Sequence, residues 1–211
     1  MAEPLTWYYD FLSPFAYLQL ECLRRDHPTL PLRPVGVVLG AILGEVGQLG
    51  PAEIPGKRAF TYRYVAWRAA ELGLPLRFPP AHPFNSLAAL RLAAVVGQDV
   101  ARVQRLFRWI WAEGQPADSA AALAPLAQEW GIEDVEARIS DPAIKQCLIA
   151  STQAAIAAGV WGVPTLAVHG ELFWGQDATA MALAAWAQPA MLQAPDWQAL
   201  GTVPVGVVRR K

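Results

Sequence analysis

The stretch DFLSPFAYLQL, residues 10–20, decides how this chain is read. It begins in the aromatic run WYYDF and turns at Ser13-Pro14-Phe15-Ala16, where redox proteins of one kind carry Cys-x-x-Cys. Residues 5–11 mix aromatic and apolar side chains and predict a buried strand. Ser13 then suits an N-cap, because its oxygen can accept an orphan amide, and Pro14 suits the first helical position, where no amide is missed. Tyr17, Leu18, Leu20 and Leu23 supply the helix's apolar stripe until His27-Pro28 stops it. A second strand is expected over about residues 32–38, so the chain opens strand, helix, strand, the pattern of a parallel sheet.

Composition narrows the partners. The 211 residues are 54% hydrophobic and 17% charged, enough apolar material for one or two packed domains and too much for a disordered chain. Seventeen Lys and Arg against eighteen Asp and Glu give a net charge of -1, and the densest basic run is the Arg209-Arg210-Lys211 tail, so nucleic acid is not an expected partner. The start, MAEPLTWYYD, lacks a basic leader before an apolar run and carries Glu3 where a secretory peptide wants positive charge, which predicts a cytoplasmic protein. VGVVLGAIL, residues 35–43, is the most membrane-like run, with Gly36, Gly40 and Gly44 at helix-contact spacing. Bounded by Arg33 and Glu45, it falls far short of the roughly 20 apolar residues that span a bilayer. Two cysteines, Cys22 and Cys147, suggest a reducing compartment and no disulfide framework, and each reads as a small buried hydrophobe.

The middle of the chain has a different character. Residues 44–55 look like a loop, and then five segments show helical periodicity between cap or turn residues: 58–72, 85–96, 99–113, 118–130 and 141–158. Pro79-Pro80 and His82-Pro83 make the sharpest break, and Asp118, Asp134 and Asp141 are expected helix starts. VPTLAVHG and ELFWG then predict two strands joined at His169-Gly170, followed by a closing helix in ATAMALAAWAQ. One split domain, residues 1–42 and 158–211, thus carries an inserted helical domain, residues 43–157.

Two places can do chemistry. At Ser13 the helix N-terminus offers unpaired N–H groups and partial positive charge, which either serve capping alone or hold an anion such as a thiolate. At Gly162-Val163-Pro164-Thr165 a proline enters a strand, with either an ordinary trans bond or a cis bond that turns the Val163 backbone towards a ligand. The histidines have no metal-ligand spacing and the cysteines lie far apart, so no metal is expected.

A strand, a small-Pro-x-small turn opening a helix, then a Val-Pro-Thr strand entry, a hairpin and a final helix resemble the thioredoxin superfamily with a helical insertion. More narrowly, DFLSPFAYL (10–18), GVWGVPTLAVHGELFWGQD (159–177) and the helices between them resemble the glutathione-dependent 2-hydroxychromene-2-carboxylate isomerases, relatives of kappa-class glutathione transferases and DsbA-type oxidoreductases. The resemblance implies an α/β, thioredoxin-like fold, a glutathione cofactor and a homodimer. It implies that Ser13 stabilises the glutathione thiolate, that Val163 before Pro164 pairs by its backbone with the cysteinyl part, and that Trp174, Gly175, Gln176 and Asp177 grip the γ-glutamyl end. Neither Ser13 nor Ala16 can attack or resolve a disulfide, so the chain's own motif cannot carry thiol exchange, and the sulfur has to be glutathione's. The implied reaction is a cis-trans isomerisation through transient thiolate addition, as in aromatic catabolism.

On the substrate side the resemblance loosens. Family members commonly place a lysine after the second strand and an asparagine-basic pair beyond it, where this chain reads AILGEVGQLGPAEIPGKR, with Leu43 and Glu53 or Ile54 in their places. Lys57 or Arg58 can supply the cation from a shifted position, Phe15 lies within the turn, and His82 either orients a phenol or carboxylate of the substrate or is a solvent-facing loop residue. Asn85 can cap the helix that follows, and Trp161 and Trp174 can pack on an aromatic substrate. Two alternatives stand beside the isomerase: a kappa-like transferase conjugating electrophiles, and a non-catalytic thioredoxin-fold binding protein, against which the whole WGQD stretch argues.

Overall fold

The computed structural model describes residues 4–207; Glu3 and the basic tail at 209–211 lie outside them. β1 (Leu5–Tyr9) runs parallel to β2 (Leu32–Gly36), with Leu5 opposite Leu32 and Tyr9 opposite Gly36. On its other side β1 pairs antiparallel with β3 (Thr165–Val168), which pairs antiparallel with β4 (Glu171–Trp174), giving the order β2-β1-β3-β4. The β3–β4 turn is the expected two-residue one, with φ +48° at His169 and +86° at Gly170, the left-handed pair that matches strand twist.

Helix α1 (Pro14–Asp26) joins β1 to β2. Between β2 and β3 the described residues form only helical elements: α2 (Leu39–Glu45), α3 (Pro55–Glu71), α4 (Leu87–Val95), α5 (Val100–Trp111), α6 (Ala120–Glu129), α7 (Val135–Ser140) and α8 (Pro142–Ala157), with a 3-10 turn at Pro51–Glu53. After β4 come α9 (Thr179–Ala187) and α10 (Pro195–Leu200). This is the α/β, thioredoxin-like fold with a helical insertion.

Strand periodicity explains the two layers around the sheet. Leu5, Trp7 and Tyr9 share one face of β1 and pack into the main core, while Tyr8 joins Val37, Ile42, Ala155, Val160 and Val163 in a second cluster on the opposite face. The first face is an aromatic stack, with ring centroids 4.8 Å apart for Trp7 and Tyr9 and 4.6 Å apart for Phe11 and Phe107 of α5. Such pairs add about 0.5–1.5 kcal/mol each beyond the area they bury. A bidentate pair from Arg108 of α5 to the buried Glu21 carboxylate, at 2.8 and 2.7 Å, fixes α5 against α1.

Where structure and sequence expectation part, the reason is tertiary or a matter of length. The residues read as an apolar run and loop contain α2, whose first amide is satisfied from far away, by Asp10 Oδ2 accepting from Leu39 N at 2.9 Å. α7, at six residues, is too short to show a period. Asp134 and Asp141 cap α7 and α8 as expected, but α6 is capped by Ser119 rather than Asp118. The cysteines are not the buried hydrophobes expected of them: Cys147 is exposed and Cys22 only half-buried, both as free thiols. Among the described residues no helix is long and apolar enough to cross a membrane.

Candidate active site

The register of the sheet brings the two sequence motifs together. Tyr8 lies opposite Thr165, so the chain leaving β1 towards Ser13 and the chain entering β3 through Val163-Pro164 meet at one end of the central strands. The Val163-Pro164 bond is cis. Gly175 N donates to Pro164 O at 2.8 Å, which places Trp174, Gly175, Gln176 and Asp177 at the same end.

Ser13 is the N-cap of α1, with φ −93° and ψ 111°, and its Oγ accepts from Ala16 N at 3.3 Å. The hydroxyl hydrogen is therefore available to a ligand. Ala16 N and Tyr17 N also reach Ser13 O, and Pro14 has no amide; Phe15 N is the first-turn amide left without a partner among the described residues. An anion arriving here meets one O–H and one N–H donor at the positive end of a thirteen-residue helix. The backbone N–H and C=O of Val163 have no backbone partner among the described residues and can add a short strand of peptide.

Sequence reasoning missed the residue that holds the third piece. The buried Gln19 of α1 accepts from Trp7 Nε1 at 2.7 Å and donates to Gly175 O at 3.1 Å and Thr179 Oγ1 at 2.8 Å. A lone amide between Leu18 and Leu20 in an otherwise apolar helical stretch was the available signal. Gly175 has φ +100°, and a Cβ there would run into the Asp177 carboxylate; a Cβ on Gly162 would lie 2.7 Å from Trp174 Nε1. Gly175→Ala is therefore expected to destabilise the fold by about 1–3 kcal/mol and to displace Asp177, read by denaturant unfolding and by glutathione affinity.

On the other wall, α3 faces the Ser13 turn. Phe15 packs on Tyr64, with ring centroids 6.0 Å apart, and Arg68 Nε is 3.4 Å from Gln176 Oε1. Lys57 is exposed on the first turn of α3, whereas Arg58 is partly buried, with Nε lacking any partner and its charge acting on both Tyr62 and His82. Glu53, which stands near the family's asparagine, closes a turn by accepting from Gly50 N, and Leu43 packs beside it. Asn85 Oδ1 accepts from Leu87 N, the first amide of α4, at 3.0 Å, although Ser86 and not Asn85 stands at the N-cap position. Trp161 and Trp174 are both substantially exposed.

His82 lies in the pocket formed by Phe78, Phe84 and Trp111, with Nε2 2.9 Å from Leu12 O and Nδ1 2.8 Å from the Tyr62 hydroxyl. A carbonyl needs a donor, so Nε2 carries the proton. Burial pushes the imidazole pKa down and the Arg58 charge adds to this, while the bond to Leu12 O opposes them. Asp10 is the other missed residue: its carboxyl, 1% exposed, accepts from Leu12 N and Leu39 N and bonds Ser86. A charged residue inside an apolar strand run was its signal. Burial raises its pKa, with those hydrogen bonds opposing. Among the described residues no group of three or more His, Cys, Asp or Glu could hold a metal ion.

A helix N-terminus carrying serine, a cis-proline strand entry and a helical insertion define a thioredoxin-fold protein without redox cysteines of its own. The family model of the DSBA-like thioredoxin domain matches residues 5–186. Within that class the chain belongs to the 2-hydroxychromene-2-carboxylate isomerase family. The enzyme of that name from Pseudomonas putida is 32% identical over 81% of this chain and 88% of its own. The solved structure of a 2-hydroxychromene-2-carboxylate isomerase superposes with a TM-score of 0.77 at 27% identity, covering 92% of this chain and 98% of that one. Human glutathione S-transferase kappa 1 is 24% identical over 77% of this chain and 79% of its own. Membership makes the chain an isomerase-family enzyme.

Proposed function

We propose that the protein is a glutathione-dependent isomerase acting on 2-hydroxychromene-2-carboxylate or a close aromatic analogue, in the cytoplasm and as a homodimer. The observation that carries this is the Ser13 turn, whose hydroxyl hydrogen and Phe15 amide have no partner among the described residues at the N-terminus of α1, beside a Val163 backbone that likewise has no backbone partner among them. The residues present fit glutathione: two donors for a thiolate, a backbone edge for a peptide-like middle, and an end where the absence of a Cβ at Gly162 and Gly175 lets the Trp174 indole and the Asp177 carboxylate lie close against the backbone. When bound, glutathione supplies a removable sulfur nucleophile, whose addition and departure turn a double bond of the ring-opened substrate single long enough to rotate.

The chain's own residues do the rest. Ser13 Oγ–H and Phe15 N–H hold the sulfur as an anion, since stabilising the charged form lowers a thiol pKa. Val163 aligns the cysteinyl backbone, and the exposed Asp177 carboxylate offers a partner for an α-ammonium group. Phe15 supplies an apolar wall with Tyr64. Of the two cations that can take the substrate carboxylate in place of the family's lysine, Arg58 is the better supported, being partly buried next to Tyr62 and His82, whereas Lys57 is exposed.

The experiment is calorimetric titration with reduced glutathione, followed by the absorbance of 2-hydroxychromene-2-carboxylate with and without it. Binding and glutathione-dependent conversion are the expected results. A second reading, a kappa-like transferase, is favoured by the human relative and by the departures at Leu43 and Glu53. Binding without conversion would select it, and no binding would remove both.

A further inference from the structure

We propose that His82 and Tyr62 are a positioning pair that sets the orientation of the Ser13 hydroxyl by clamping the peptide between Leu12 and Ser13. This rests on the glutathione reading above. That peptide is planar, so its carbonyl and its N–H turn as one unit. Its oxygen is held by His82 Nε2 at 2.9 Å and its N–H, that of Ser13, donates to Asp10 O at 3.0 Å. Any rotation of this plane changes the Ser13 backbone angles and swings Oγ away from the end of α1. Asp10 Oδ1 takes the preceding amide, Leu12 N, at 3.0 Å, so the turn is gripped on both sides of Leu12.

The histidine is itself held. Its Nδ1 lies 2.8 Å from the Tyr62 hydroxyl, which is also 2.7 Å from the His82 carbonyl, and the Trp111 ring packs against the imidazole at 5.3 Å. Trp111 Nε1 donates to Phe11 O at 2.9 Å, one residue before the clamped carbonyl. Nε2 is taken up by Leu12 O, and Nδ1 faces the Tyr62 hydroxyl, whose single hydrogen it shares with the His82 carbonyl, so the ring is turned into the protein rather than towards a phenol or carboxylate of the substrate. Residues from the inserted helices and the loop before α4 thereby fix a turn in the thioredoxin-like part. Without the clamp, the freed Leu12 carbonyl also presents a negative dipole end beside a site built for an anion.

The test compares the full-length wild type with His82→Phe, which fills the aromatic pocket but donates nothing, His82→Gln, whose side-chain amide can reach Leu12 O, and Tyr62→Phe. Two quantities are measured: the pKa of the bound glutathione thiol, from thiolate absorbance, and the affinity for S-methylglutathione, which cannot ionise at sulfur. His82→Phe is expected to raise the bound thiol pKa and to weaken glutathione about three- to tenfold, the worth of one lost hydrogen bond, with S-methylglutathione affinity nearly unchanged. His82→Gln should restore most of the difference and Tyr62→Phe should fall between. A wild-type thiol pKa in His82→Phe overturns the proposal, as does equal loss in His82→Gln. If His82→Phe does not fold, an unchanged thiol pKa in Tyr62→Phe overturns it. If the wild type binds no glutathione, the functional reading itself has failed; wild-type binding with a lowered thiol pKa and an indifferent His82→Phe removes only this inference.

Discussion

Ser13→Ala is expected to lower glutathione-dependent conversion about 100-fold, the usual cost of removing one preorganised donor from a developing or resident anion. The same substitution also removes the acceptor for Ala16 N, so the melting temperature should fall modestly, for a cap loss of about 1 kcal/mol. The two effects separate through Ser13→Thr, which retains both the acceptor and the O–H donor and should recover most of the rate. Initial rates measured at saturating glutathione, with thermal melts of each variant, check this. An unchanged rate in Ser13→Ala would take the hydroxyl out of the mechanism and leave Phe15 N–H and the helix dipole as the only anion-holding groups.

Asp10→Ala should be the most destabilising single change near the site. It strands the partly buried Leu12 and Leu39 amides and the buried Ser86 hydroxyl, all of which the carboxyl engages. Leaving buried donors unsatisfied at this scale costs about 2–4 kcal/mol. Because the same carboxyl starts α2 and holds the turn before Ser13, glutathione affinity should fall with stability. The pH dependence has a definite sign. Burial raises the folded-state pKa of Asp10 above its unfolded value, so its contribution to stability is fully present below the unfolded pKa, near about 3.9, and is lost as pH rises through the folded pKa. Chemical denaturation across that window should show a pH-dependent loss in the wild type that Asp10→Asn, which cannot titrate, lacks. Equal pH profiles for the two would mean the carboxyl is not held above its ordinary value.

The segments proposed to form the site were legible in the sequence where their signals are local. A serine before a proline at a strand's end caps a helix whatever lies around it, and Val-Pro-Thr at a strand entry followed by a two-residue turn specifies a hairpin. Those local signals marked Ser13, Val163 and Pro164, the family resemblance pointed to residues 174–177, and the sheet register brings these segments to one end of β1 and β3. What could not be read were polar groups whose partners lie far along the chain: Gln19 with Gly175, Asp10 with Leu39, and His82 with Leu12. A polar residue in an apolar run announces that it has a partner, since burial without one is costly, but it does not say which partner. Helix α2 illustrates the same limit, its first amide being satisfied by a residue 29 positions earlier.

The amino-acid sequence by itself therefore determined the order of the four strands and the longer helices and the absence of a redox pair at Ser13 and Ala16, because each depends on neighbours a few residues apart, while the expectation that Ser13 holds a borrowed thiolate came from the family resemblance. Only the tertiary structure decided that the His82 imidazole is bonded to Leu12 and Tyr62, that Arg58 is partly buried while Lys57 is exposed, and that Asp10 is sealed beneath the turn. Those outcomes follow from which elements pack together, and long-range packing is fixed by the sum of many weak contacts rather than by any short stretch of chain.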